Sequence, residues 1–292
     1  MVKKRGKNKN NFVDWLIVAF FGIWVAISLI PLFNIFSLSL ADDKTALAHP
    51  GMLLPPLKTS TFGSYKAIFK SEAIYRSFLI SLLVTAIATT IHIVTTLLSG
   101  FVLSNKRLPG RNALLLFILI TMLFGGGLIP TYLVISSYGM VDTMWVLILP
   151  GAVSGYSIIL MKNFISNIPA SLIEAAEVDG ANPFYILVRI VAPLSVPIIA
   201  TLALMCAVGK WNDWMTGFIY IKKNKLLWPF QNVLQTLVVN ADTQNSVGMD
   251  LSKFNESFKN ALIVVSLIPV IVIYLLAQRF LIKGIFIGSV KE

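Results

Sequence analysis

The sequence predicts an all-α, polytopic membrane protein with six transmembrane helices and both termini cytoplasmic. Three observations carry this. Of 292 residues, 57% are hydrophobic and only 13% are charged. The mean hydropathy is +0.81. The apolar residues also gather into six runs long enough to cross a bilayer, where roughly 20 residues span about 30 Å of hydrocarbon. Soluble domains are about 45–50% apolar and about 25% charged, so this chain lies outside that class. The same figures exclude disorder, collagen and a disulfide scaffold. The single cysteine, Cys206, stands in an apolar run, where it packs as a small hydrophobe.

The first run, about 12–40, follows a basic start, Lys3-Lys4-Arg5, and Ser39-Leu40-Ala41 resembles a signal-cleavage site. A secretory signal has an apolar core of roughly 7–15 residues, so this longer run is expected to be retained as a helix. The second, third and fourth runs cover about 77–104, 113–136 and 143–161, and the fifth and sixth about 191–210 and 260–281. Irregular backbone facing lipid would leave amide groups unsatisfied, so each run is read as a helix. Pro31, Pro130, Pro150, Pro193, Pro197 and Pro269 lie within or at the ends of these runs. Each removes a helical donor and can kink its helix. Gly125-Gly126-Gly127 in the third run permits bending or close helix approach.

Lysines and arginines in short loops set the orientation. Lys3, Lys4, Arg5, Lys7 and Lys9 crowd an N-terminal tail at 1–11, Lys106, Arg107 and Arg111 fill the loop at about 105–112, and Lys283 and Lys291 close the chain. The loops at about 42–76 and 211–259 are longer, and their lysines are diluted. Both termini therefore face the cytoplasm, together with a segment carrying Glu174, Glu177 and Asp179 against Lys162 and Arg189. The net charge of +11, from 24 Lys and Arg against 13 Asp and Glu, reads as basic flanks meeting anionic headgroups. No basic patch interleaved with aromatics and no zinc spacing points to a nucleic-acid partner.

No Gly-x-x-x-x-Gly-Lys-Ser/Thr stretch occurs, so the usual phosphate cradle for ATP is missing. His-Glu-x-x-His and Gly-x-Ser-x-Gly are also absent, and no catalytic residue, metal site or cofactor is expected. His92, inside the second run, reads as a polar helix–helix contact, while His49 lies in a proline-containing loop. The runs lack the paired acids of a proton relay. That disfavours an ion-coupled secondary transporter of small polar solutes, the main alternative, although carbonyls can hold sodium. A membrane scaffold without transport is a third reading, disfavoured by the kinked, polar spans.

Between the fourth and fifth runs, the stretch from Asn167 to Tyr185 is too polar to cross. It reads as a helix, a sharp elbow and a second helix within a cytoplasmic loop at about 162–190. Pro169 suits the first turn of the first helix; alternatively Ser171 and Glu174 form a capping box. Gly180 can take the left-handed conformation that ends a helix. Asn182 then caps the next helix and Pro183 opens it. Glu174, Glu177 and Asp179 keep the hairpin in water, while Ala175 and Ala176 offer a low-profile face for a partner's groove. A helix–glycine–helix unit of about 25 residues is more than a connector requires.

Glu174-Ala175-Ala176, with Gly180 six residues after the glutamate, then Ile190 and Pro193, resembles the EAA loop of permeases in binding-protein-dependent ATP-binding-cassette importers. The chain has Ala192 where that pattern has leucine, and Asp179-Gly180-Ala181 is similar to the carbohydrate-uptake branch. The stretches Pro130-Thr-Tyr-Leu-Val-Ile, Asp142-Thr, Leu149-Pro-Gly, Trp211-Asn-Asp-Trp214 and the ending from Gln278 to Lys291 agree with it. The resemblance runs from about Tyr75 onward and is nearest the maltose-permease-like group. It implies a type I importer permease (MetI-like) fold in the cell membrane. It also implies a second, homologous permease in a heterodimer, two cytoplasmic ATPase subunits, an extracytoplasmic solute-binding protein, and a sugar or oligosaccharide as substrate. On this resemblance Glu174, Ala175, Ala176, Asp179 and Gly180 form the ATPase-coupling contact, with Glu177, Ala181, Asn182 and Pro183 in the same loop. Glu174 would be the charged anchor and Gly180 the elbow.

Sugars are gripped by aromatic faces together with amides or carboxylates. Trp211, Asn212, Asp213 and Trp214, at the end of the fifth run, offer that mixture and are candidates for the substrate path; the plainer reading is an interfacial aromatic belt. Tyr132, Tyr156 and Gln231 are further candidates. The loop at about 211–259 is expected to hold a helix at about 228–239 and to meet the binding protein. Its Lys222, Lys223 and Lys225 read as a solvated turn or as attraction to an acidic partner.

Overall fold

A computed structural model describes residues 12–56, 60–238 and 255–288. The basic N-terminal tail and Lys291, which bear on orientation, lie outside the described residues, as does the Lys283 side chain. The chain forms two units, Met1–Ser71 with Gly248–Val265, and Glu72–Val247 with Ser266–Glu292. Among the described residues all regular structure is helical.

In the first unit, α1 (Phe12–Leu40) has the expected bounds. It is apolar on every side, and none of its most apolar window is buried within the chain. Its C-terminal end is tied down by the segment that follows, which contains α2 (Asp43–Ala48) and α3 (Gly63–Lys70). The Asn34 amide donates to the carbonyls of Pro50 (2.9 Å) and Met52 (2.8 Å). The Thr61 N–H donates to the Leu40 carbonyl at 2.7 Å, and the Ser39 and Tyr65 hydroxyls bond at 2.7 Å. Leu38, Ala41 and Ala46 close a small core with Met52.

The second unit is organised by α4 (Glu72–Ser104). Ser77, Ser81, Thr85, Ala88, His92, Thr96 and Gly100 recur every three or four residues and are buried. This stripe of small and hydroxylated residues suits a membrane helix, where close backbone approach replaces the hydrophobic drive available in water. After it come α5 (Arg111–Leu123), α6 (Leu128–Ser137), α7 (Trp145–Ile148), α8 (Gly155–Ile165), α9 (Ala170–Val178) and α10 (Pro183–Ile186). A π turn at Leu187–Val191 then leads into α11 (Ala192–Leu194), α12 (Val196–Trp211) and α13 (Met215–Tyr220). A 3₁₀ turn at Lys225–Leu227 precedes α14 (Phe230–Val238), and α15 (Glu256–Gly288) runs through both units. α4 packs mainly on α12 and α8, and also on α14 and α7.

Three helices, α1, α4 and α15, are long and apolar enough to cross a membrane, and counting each bent pair as one span gives up to five. Of the six expected runs, the first, second and sixth are therefore single long helices, and the other three are bent or interrupted. The third run bends by 115° between α5 and α6, where Gly127 takes a φ of 80° that an L side chain rarely adopts. The fourth run, about 143–161, is not one helix. It consists of the four-residue α7, a turn at Pro150 and Gly151 (φ 77°), and α8, which continues to Ile165. The 11 residues of α8 rise only about 16 Å. The fifth run bends by 79° at Ser195. Pro193 and Pro197 flank that residue and cannot donate the helical bonds that would carry the axis straight through. The expected helix at about 228–239 is α14, ending at Val238.

Candidate functional site

The hairpin forms as the sequence dictates, with one difference at its start. α9 begins at Ala170, directly after Pro169, and no side chain caps it, so the Ser171–Glu174 capping box does not form. Ser171 already lies within the first helical turn, too late to act as a cap. At the other end, Gly180 has a φ of 80°, and the N–H groups of Gly180 and Ala181 donate to the carbonyls of Glu177 (3.1 Å) and Ala176 (2.9 Å). This left-handed cap satisfies carbonyls at the helix end. The Asn182 side chain then accepts from the Tyr185 N–H at 2.8 Å, and Pro183 opens α10.

The hairpin has an inner and an outer side. Ile186 and Leu187 are buried in a cluster with Met161 and Ile165 of α8, Val191, and Leu202 of α12, against which Ile173, Ala176 and Ala181 also pack. Glu174, Ala175, Glu177, Asp179 and Gly180 are exposed. The low-profile face assigned to both alanines is thus corrected to Ala175 alone, because Ala176 turns inward. Val178 is 88% exposed and Phe184 70% exposed, which the sequence reading missed. Two large apolar side chains flanking a glycine in an otherwise polar hairpin were the available signal. Below the elbow, a cavity of about 540 Å³ is lined by Asp179, Gly180, Asn182, Tyr185 and Arg189, among others.

The seven substrate-path candidates do not converge. Trp211 is buried, with its indole N–H donating to the Ser266 carbonyl at 3.0 Å and its ring against Phe78 and Phe230. That corrects its assignment, because a ring enclosed by its own chain offers no face to a solute. Asn212 accepts from the Gln231 amide at 3.3 Å. The Asp213 carboxylate accepts from the Thr216 N–H (3.0 Å) and hydroxyl (2.6 Å) in the first turn of α13. Trp214 lies against Phe218, and its carbonyl accepts from the Asn232 amide. Tyr132 stacks on Tyr220 at 5.6 Å, with the Lys222 ammonium 5.0 Å from the centre of its ring. Lys225 covers Trp228 in the same way, so two of the three lysines in this turn pack on aromatic rings as well as meeting solvent.

Tyr156 and Asp213 do share a cavity. It measures about 390 Å³ and is also lined by His92, Ser154, Ser157 and Lys210. His92 bridges α4 to the interrupted fourth segment, as expected. Its Nδ1 meets the Ala152 carbonyl and its Nε2 the Ser157 hydroxyl, both at 3.1 Å. Since a carbonyl only accepts, Nδ1 carries the proton and Nε2 accepts from the serine. Lys210 was not singled out from the sequence. Its Nζ donates to the carbonyls of Leu147 (2.9 Å) and Pro150 (2.7 Å) beside the break in the fourth run. Among the described residues no group of three metal-ligating side chains could hold an ion.

Comparison with known proteins fits this architecture. The chain is 38% identical over 287 residues to the polygalacturonan/rhamnogalacturonan transport system permease protein YtcP of Bacillus subtilis (strain 168), covering 97% of this chain and 99% of that protein. It is 35% identical to Protein LplC of the same organism, over 94% of this chain and 93% of that one. A chain in the crystal structure of a bacterial ABC transporter involved in the import of the acidic polysaccharide alginate superposes with a TM-score of 0.82 at 26% identity, covering 94% of this chain and 98% of its own. Residues 60–287, which hold α4, the hairpin at 170–186 and the Lys210 cavity, match the family described as binding-protein-dependent transport system inner membrane component, and the chain belongs to that family.

Proposed function

We propose that this chain lines half of the translocation path of an ATP-driven importer of sugars or oligosaccharides, and that the hairpin at 170–186 couples it to separate ATPase subunits. The observation that carries this reading is the hairpin itself. Its tip is exposed and bears acids and unsatisfied apolar side chains, while its root is buried between α8 and α12. A chain without a phosphate cradle must receive its free energy through a contact. Glu174, Glu177, Asp179, Val178 and Phe184 offer a partner both charge and apolar area at one site. The relatives named for polygalacturonan and alginate support a saccharide as the solute. Cytoplasmic termini would put the hairpin, with Lys106, Arg107 and Arg111, on the side where ATP is found. The partners are then a homologous second permease, two ATPases, an extracytoplasmic binding protein and the lipid membrane.

Glu174→Lys and Val178→Asp test the contact in cells carrying the complete transport system. Both side chains are exposed, so the chain reaches the membrane at its usual level. Co-purifying ATPase and solute uptake both fall, uptake by about tenfold, as expected for losing a buried interfacial anchor. Undiminished uptake by both variants overturns the coupling role.

A further inference from the structure

We propose that Lys210 selects acidic sugars, its ammonium receiving a carboxylate of the passing saccharide in the cavity between α4, α8 and α12. The inference rests on the reading of the chain as a sugar permease and adds the charge of the solute. Lys210 has three N–H donors. Two are taken by the Leu147 and Pro150 carbonyls, freed where the fourth segment breaks at Pro150 and Gly151. Among the described residues no carboxylate oxygen lies within 4.0 Å of its Nζ. Asp213, the acid that lines the same cavity, commits both oxygens to Thr216. Asp213 attracts the ammonium without contacting it in an ion pair; a partly buried cation lacking a contacting counter-charge is unfavourable, and an incoming anion relieves that cost.

The rest of the lining fits a uronate. Tyr156, half exposed, brings an aromatic residue to the lining, and Ser154 and Ser157 bring hydroxyl groups, Ser157 being held by His92. The volume of about 390 Å³ falls in the range of about 300–1,000 Å³ usual for small-ligand sites. A neutral sugar would leave the ammonium unpaired. A hexuronate brings the carboxylate, ring face and hydroxyls together. The competing reading is a strut, in which Lys210 merely ties α12 to the broken segment and serves every substrate equally.

The test uses the whole complex (both permeases, the ATPases and the binding protein) in proteoliposomes, with tetragalacturonate and its methyl ester as probes. The wild-type complex takes up the acid, and Lys210→Gln lowers acid uptake relative to ester by about tenfold, the factor expected for one charge-assisted contact. Lys210→Arg, which keeps the charge, retains the preference. If the ester enters too slowly to measure, the contrast between the Arg and Gln variants in acid uptake, at equal melting temperature in detergent, decides the matter. A proportional loss for both probes, or equal loss in both variants, identifies a strut and overturns the proposal. Wild-type uptake of the ester but not the acid overturns it while leaving the sugar-permease reading intact. Uptake of neither probe nor of a neutral oligosaccharide overturns both.

Discussion

Asp142 is the one non-glycine residue with positive φ among the described residues, at 59°. Its N–H donates to the Tyr220 carbonyl at 3.0 Å, and its carboxylate accepts from the backbone N–H groups of Lys222 (2.7 Å), Lys223 (2.8 Å) and Asn224 (3.4 Å). These bonds, that of Lys223 foremost, hold its carboxyl below the ordinary aspartate range. A depressed carboxyl stabilises the folded chain above its unfolded pKa, about 3.9, and that contribution disappears as pH falls through the lower folded value. The clip should therefore be constant from neutral pH to about pH 5 and fail only in stronger acid. Asp142→Asn, which tolerates the left-handed backbone and keeps an acceptor, should lower the melting temperature in detergent less than Asp142→Ala. Equal losses, or an acid-induced decline already complete near neutrality, would refute the clip. At this scale the sequence was legible where one residue's chemistry has few outlets. A histidine inside an apolar run needs polar partners, and His92 finds them. It was illegible where neighbours arrive from distant segments, since Trp211 is made structural by Phe78 and Phe230.

At the scale of elements, hydropathy recovered α1, α4 and α15 but missed the interruptions in the other three runs. The reason is physical. Apolarity reports which residues prefer lipid, whereas Gly127, Gly151 and the Pro193–Pro197 pair determine where the backbone turns. A proline or a glycine was visible in each of the six runs, and Pro31 and Pro269 sit inside continuous helices, so their presence alone did not separate kink from break. Gly100 shows what the stripe on α4 requires. A Cβ there would lie 2.6 Å from Met161 Cγ, 2.9 Å from Met161 Cβ and 3.1 Å from the Lys162 nitrogen. The Cγ can swing aside, but the Cβ and backbone nitrogen move only with α8. Gly100→Ala should therefore separate α4 from α8 and destabilise the protein by about 1–3 kcal/mol, the usual cost of overpacking. Gly22→Ala is the matched control, since a Cβ on that residue of α1 meets nothing within 4 Å. If the two variants melt together in detergent, the close crossing is not supporting the fold.

For the whole molecule, the proposed coupling asks how a push at the hairpin would reach the cavity proposed to receive the solute. Met161 and Ile165 of α8 and Leu202 of α12 clamp Ile186 and Leu187 at the hairpin root. Ser157 of α8 and Lys210 of α12 line the cavity with Tyr156. The same two helices thus hold the hairpin and line the cavity, and close-packed side chains would pass displacement between them because such interiors barely compress. Gly180 is the place to interrupt this without unfolding the chain. A Cβ there meets nothing within 4 Å, and aspartate tolerates a φ near 80° better than most side chains, so Gly180→Asp costs only about 1 kcal/mol of backbone strain. The harm comes from outside: a charged side chain is placed on the outer surface of the elbow, where a partner would dock. Gly180→Asp should therefore remove nearly all uptake and release the ATPase while the permease remains in the membrane at normal level. Gly180→Val, whose branched side chain resists the left-handed backbone, should lower the permease level as well. Transport that persists at the wild-type rate in cells with ordinary amounts of the aspartate variant would break the mechanical link between hairpin and cavity.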